Sequence, residues 1–79
     1  MTVTLYSKPG CHLCEDVRVV LDELAPECGF GVEEIDIETD QALFERYRYE
    51  IPVVLMDGKE IARGKIDERV LAAALVPRS

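Results

Sequence analysis

The sequence predicts an α/β domain of order β-α-β-α-β-β-α, in which helices flank a four-stranded mixed sheet. Three observations carry that expectation. Val3 and Leu5 alternate with Thr2 and Thr4 at the start of the chain, the period of a half-buried strand. Val17, Val20, Leu21 and Leu24 then recur at helical spacing and mark one apolar face. Finally, the apolar run Val53 to Met56 meets Asp57-Gly58, a strong hairpin signal because a type I′ turn needs positive φ at both central positions.

The elements follow in order. The first strand is expected to break at Tyr6 to Gly10, where Pro9-Gly10 signals a turn. The first helix runs from Cys11, with Glu15 and Asp16 in the turn where the helix dipole favours negative charge. Pro26 and Gly29-Phe30-Gly31 are expected to end it. Val32, Ile35 and Ile37, interleaved with Glu34, Asp36 and Glu38, read as a second strand, parallel to the first through a right-handed crossover. Thr39 or Asp40 can cap a second helix that turns Leu43, Phe44 and Tyr47 inward and stops before Ile51-Pro52. After the hairpin, Lys59 to Arg63 returns antiparallel with Ile61 facing in, and Gly64 ends it. Asp67 reads as the N-cap of a last helix carrying Val70, Leu71, Ala74 and Leu75. The terminal Leu75-Val76-Pro77-Arg78-Ser79 resembles a trimmed protease-site tag and is given no function.

Length and charge narrow the class. The 79 residues are read as a single domain, 1–79. A chain of this size buries only about 60% of the surface its unfolded form exposes, so the core must be economical. Nine basic against sixteen acidic residues give a net charge of −7, which argues against nucleic acid as a partner, since phosphate contacts need clustered Lys and Arg. No apolar run approaches the roughly 20 residues that cross a bilayer, and the chain opens on a strand pattern with no signal-peptide features. The expectation is a monomeric cytoplasmic protein with no membrane contact.

The chemistry centres on Cys11-His12-Leu13-Cys14, at the strand-to-helix junction. A C-x-x-C pair beside a βαβ pattern reads as a dithiol redox site. Cys11 at the helix N-terminus faces unpaired N–H groups and the positive end of the dipole, which favour a thiolate. Lys8 adds a positive charge, and a protonated His12 would do the same. Glu15 and Asp16 act in the opposite direction, so the Cys11 thiol is expected to ionise only moderately below a free thiol. Cys14, one turn further in, would be the more buried resolving thiol. A closed zinc site needs four ligands, and only His12 and Cys28 remain as candidates beside the pair; Cys28 lies about 21 Å along a straight helix from Cys14. No metal site within one chain is expected, and Cys28 reads as a small apolar residue. Pro52, placed before a buried strand, reads either as a strand-start proline or as a cis peptide that leaves the Ile51 N–H and C=O free to pair with a peptide-like substrate.

Together, Tyr6-Ser7-Lys8-Pro9-Gly10-Cys11-His12-Leu13-Cys14, Ile51-Pro52-Val53, Asp57-Gly58 and Gly64-x-x-Asp67 resemble the thioredoxin superfamily, most closely glutaredoxin, over nearly the whole chain. Tyr6, Ser7, Lys8, Cys11 and Cys14 stand where glutaredoxins carry their active-site loop, and Ile51-Pro52 where they carry a cis-proline. The resemblance implies a thioredoxin-like fold and a thiol–disulfide oxidoreductase, with Cys11 as nucleophile and Cys14 as resolving thiol. It further implies Tyr6, Lys8, Ile51, Pro52, Gly64 and Asp67 as residues that hold substrate or glutathione. Substrates would be protein or low-molecular-weight disulfides, with glutathione or thioredoxin reductase as the electron source and no permanently bound cofactor. The chain departs from glutaredoxins in having His12-Leu13 for Pro-Tyr, Glu50-Ile51-Pro52 for Thr-Val-Pro, Arg63-Gly64 for a double glycine, and Glu15 where a basic residue is usual. Two acidic residues near the pocket would repel an anionic tripeptide. Two alternatives stay open: a dimer bridging an iron–sulfur cluster through Cys11, and a non-catalytic binding module.

Overall fold

A computed structural model describes residues 1–75; residues 76–79 of the tag-like terminus lie outside the described residues. The order is β1 (Thr2–Ser7), α1 (His12–Cys28), β2 (Gly31–Asp36), a short 3₁₀ turn (Ile37–Thr39), α2 (Gln41–Tyr47), β3 (Val53–Met56), β4 (Lys59–Arg63) and α3 (Glu68–Leu75). The four strands form one mixed sheet in the order β2-β1-β3-β4. β1 runs parallel to β2 and antiparallel to β3, and β3 pairs antiparallel with β4.

Strand alternation sorts the side chains between two faces. Val3, Leu5 and Val54 point to one face and meet Val17 and Leu21 of α1, Phe30, and Leu71 and Leu75 of α3, forming the main core. Leu21 is fully buried there, which stabilises the fold by about 1.5–3 kcal/mol relative to leaving it exposed. Tyr6 points to the other face and packs on Tyr47 of α2, with ring centroids 5.1 Å apart. Val53 and Leu55, paired with Tyr6 and Thr4, are buried on that second face.

Several boundaries differ from the sequence expectation, each for a local reason. β1 does not break at Tyr6: Tyr6 and Ser7 stay in register with Ile35 and Asp36, and the chain turns only at Pro9-Gly10, where Gly10 has φ +80°. α1 runs through Pro26 to Cys28. The proline lacks the amide that would donate to the Asp22 carbonyl, and it lies on the exposed side of the helix. Gly29 ends the helix, at the turn the sequence marks, in the left-handed conformation, with its N–H donating to the Ala25 carbonyl at 2.9 Å. Cys28 is a free, half-buried thiol against the core.

Ile37 is not part of the second strand. The Asp36 carboxylate accepts the Glu38 N–H at 2.8 Å, folding the chain into the 3₁₀ turn that buries Ile37 completely. Asp40, rather than Thr39, caps α2 by accepting the Ala42 and Leu43 N–H groups at 3.0 and 3.2 Å. Asp57 and Gly58 have φ of 49° and 85°, the signs a type I′ turn requires. A bulge opposite Val54 and Leu55 leaves Ile61 between the paired residues Glu60 and Ala62, and both Ile61 and Ala62 pack against the core. In α3 only Leu71 and Leu75 are buried: Val70 is 62% exposed and Ala74 is also exposed. Among the described residues, no helix is long and apolar enough to cross a membrane.

Candidate active site

The β1–α1 junction places the two cysteines at the carboxyl end of the parallel strands β1 and β2, which is the amino end of β3. The Cys11 N–H donates to the Lys8 carbonyl at 3.3 Å, closing the turn made by Pro9 and Gly10. Cys11 is itself the N-cap of α1, with extended backbone (φ −86°, ψ 102°), and its sulfur accepts the Cys14 N–H at 3.2 Å. A helix N-terminus leaves such N–H groups unpaired, and here one of them points at the Cys11 sulfur. Cys11 and Cys14 are joined as a disulfide, with Cα atoms 5.2 Å apart. The two are not equivalent: Cys14 is 2% exposed while Cys11 is half-buried and reaches the surface.

A cleft of about 400 Å³ opens over the pair, lined by Ser7, Lys8, Pro9 and Gly10, by Glu15, and by Glu34 and Asp36 of β2. Glu34 and Asp36 were not singled out from sequence as site residues. They arrive through the parallel register, in which Ser7 lies beside Asp36 and Leu5 beside Glu34, so both carboxylates share the face on which Ser7 points toward α1. Ser7, 5% exposed, donates its hydroxyl to Glu34 Oε2 at 2.7 Å. Arg18 of α1 reaches Glu34 Oε1 at 3.1 Å and Asp22 Oδ1 at 2.9 Å. The available signal was that strands next to β1 deliver their carboxyl ends to the same crevice as the cysteine loop.

The other sequence candidates distribute as follows. Lys8 lines the cleft beside the cysteines. His12 turns outward, its side chain 94% exposed and its Nδ1 3.6 Å from Glu15 Oε2. Asp16 faces away from the cleft and lines, with Leu13, a separate groove between α1 and α3. Tyr6 lies on the opposite sheet face, against Tyr47.

The Ile51-Pro52 peptide bond is cis, and since Val53 pairs with Tyr6 it stands at the same end of the sheet as the cysteine loop. Among the described residues, the Ile51 N–H and C=O enter no backbone hydrogen bond, whereas Gly64 N–H is occupied, donating to Pro52 and Glu50 carbonyls at 2.8 and 3.1 Å. Arg63 next to it pairs with Glu60 and Glu50, which hold its guanidinium above the ordinary value, Glu60 by the larger margin. Asp67 caps α3, its Oδ1 accepting the Arg69 N–H at 2.8 Å. Among the described residues, no group of three or more His, Cys, Asp or Glu side chains is arranged to hold a metal ion.

Comparison with known proteins gives the same picture. The glutaredoxin-like domain (DUF836) matches residues 2–76. A glutaredoxin-like protein of Dictyostelium discoideum is 31% identical over 74 residues, covering 86% of this chain and 68% of the relative. Among solved structures, a structural-genomics protein from X. campestris superposes with a TM-score of 0.77 at 28% identity, covering 92% of this chain and 93% of its own. NrdH-redoxin of Escherichia coli, described as glutaredoxin-like with a thioredoxin-like activity profile, superposes over 100% of both chains with a TM-score of 0.72. At 20% identity that last likeness speaks to the fold alone, which is thioredoxin-like.

Proposed function

We propose, from the premise that the chain belongs to the glutaredoxin-like domain family, that it is a thiol–disulfide oxidoreductase working through Cys11 and Cys14. One observation carries the reading: the two cysteines close a disulfide at the N-terminus of α1, with the more exposed of them, Cys11, at the N-cap.

In the reduced protein, Cys11 is the attacking thiolate, because it is the sulfur that both meets solvent and receives the Cys14 N–H. Its attack on a substrate R–S–S–R forms the mixed disulfide Cys11–S–S–R and releases the first RS⁻. Cys14, held one helical turn away and out of solvent, then attacks the Cys11 sulfur and expels the second RS⁻. The Cys11–Cys14 disulfide is left behind. Two electrons have passed to the substrate, and the two cysteine protons end on the released thiols. The Ile51 N–H and C=O stand at the same end of the sheet and offer one donor and one acceptor to a peptide backbone lying beside Cys11.

The substrates are protein or low-molecular-weight disulfides, and the electron source is glutathione or a thioredoxin reductase. No resident cofactor is needed for the exchange. Lys8 offers glutathione one positive contact, while Glu15, Glu34 and Asp36 in the same cleft repel its carboxylates.

The test is disulfide reduction coupled to NADPH, with either glutathione and its reductase or thioredoxin reductase supplied. Wild type should turn over with at least one system and Cys11→Ser with neither. Wild-type protein inactive with both would contradict the proposal.

A further inference from the structure

We propose that the cleft selects disulfides that carry positive charge next to the reacting sulfur, an inference that rests on the redox reading above and adds its substrate class. Cys11 opens into a cleft whose charged lining residues are one cation, Lys8, and three carboxylates, Glu15, Glu34 and Asp36. Arg18 does not reverse the balance, because it is shared between Glu34 and a further carboxylate, Asp22. Nor does His12, which pairs with Glu15 out in solvent.

Two of the three acidic groups are also fixed in place. Glu34 is held by the buried Ser7 hydroxyl and by Arg18, and Asp36 by the Glu38 N–H. Carboxylates that cannot swing away keep a negative potential over the sulfur an incoming disulfide must reach. A cleft in which one sign of charge predominates raises the encounter rate of the opposite sign by about tenfold or more, an effect that salt removes. Cations flanking the substrate disulfide therefore speed its approach to Cys11, and carboxylates slow it. The exchange chemistry is unchanged: the same two cysteine thiols supply the electrons, and the same two thiols leave.

The experiment uses fully reduced protein, freed of reductant, in single-turnover reactions with three small disulfides. Cystamine is cationic, 2-hydroxyethyl disulfide neutral and oxidised glutathione anionic at neutral pH. Each rate is divided by that of the same disulfide with dithiothreitol, which removes differences in leaving-group reactivity. At low ionic strength the normalised rate for cystamine should exceed that for oxidised glutathione by about tenfold or more, with the neutral compound between them. The ratio should approach one near 1 M salt, where the Debye length falls to about 3 Å. Asp36→Asn, which keeps an acceptor for the Glu38 N–H, and Glu15→Gln should each lower the ratio.

A ratio near one at low salt, or one that ignores salt and both substitutions, would overturn charge selection and leave the redox reading standing, since all three disulfides would still be reduced. Reduced protein that reacts with none of the three would overturn both.

Discussion

The Ser7 hydroxyl donates to Glu34 Oε2 at 2.7 Å and so ties β1 to β2 at the base of the redox cleft. Ser7 is 5% exposed, so its hydroxyl has exchanged water for a single charged partner. The bond decides where a carboxylate stands relative to the cysteines and closes the carboxyl end of the parallel strand pair.

Removing the donor should be felt in stability. Ser7→Ala is expected to cost about 1.5–2 kcal/mol in urea unfolding, the lower part of the range for bonds to charged groups because Glu34 is partly solvated. A double-mutant cycle with Glu34→Ala, which removes the acceptor, should show coupling of at least about 0.5 kcal/mol. Additive effects would mean that the bond is not made in solution.

α3 offers a test of facing. Val70 is 62% exposed and Leu71 1%, although the two are neighbours in sequence. Val70→Lys should shift stability by no more than about 0.5 kcal/mol. Leu71→Ala should cost about 2–5 kcal/mol, a large part of what a domain of this size possesses. Equal costs at the two positions would place the helix in another rotation.

The placement of Leu71 and Val70 also shows where the sequence stops being informative. The order of elements, the hairpin at Asp57-Gly58 and the junction position of Cys11 and Cys14 were all legible, because each rests on local chemistry: periodicity, positive φ or a helix N-terminus. Which of two adjacent apolar residues faces the core depends on how α3 leans on α1, and that is a tertiary fact. Pro26 and Gly29 together marked the end of α1, and it is Gly29 that caps it: a proline on the exposed side of a last turn removes one hydrogen bond and need not end a helix at once. Glu34 and Asp36 looked like the solvated side of a strand. Only the register of β2 against β1 brings them to the cysteines. The cleft was therefore half visible: its sulfur and its lysine came from the local motif, its acidic wall from a pairing between residues far apart in the chain.

The Asp40 cap gives a third prediction. Its carboxylate accepts two N–H groups at the start of a seven-residue helix, which has few other means of satisfying them. Asp40→Ala should destabilise by about 1 kcal/mol, and Asp40→Asn should keep most of that stability, since asparagine caps nearly as well. Hydrogen exchange at Ala42 and Leu43 should accelerate in the alanine variant. Unchanged exchange there would show that α2 is held by packing alone.

A fourth concerns the reactivity of the reduced protein. The Cys11 sulfur accepts the Cys14 N–H at the helix N-cap, an arrangement that favours the anion, while Glu15 nearby opposes it. A thiol that ionises more easily is alkylated at lower pH, so the iodoacetamide rate profile of Cys11 should have its midpoint moderately below that of free cysteine. Glu15→Gln should move that midpoint further down. A midpoint at or above free cysteine would contradict the assignment of Cys11 as nucleophile.

The most direct test is to trap the intermediate. Reduced Cys14→Ser protein, mixed with 2-hydroxyethyl disulfide and analysed by intact mass and peptide mapping, should accumulate one mixed disulfide on Cys11. Wild type should pass through to the Cys11–Cys14 disulfide, and Cys11→Ser should form no adduct at a comparable rate. A stable adduct on Cys14 or Cys28 instead, or wild-type protein that never closes its disulfide after reaction, would contradict the account.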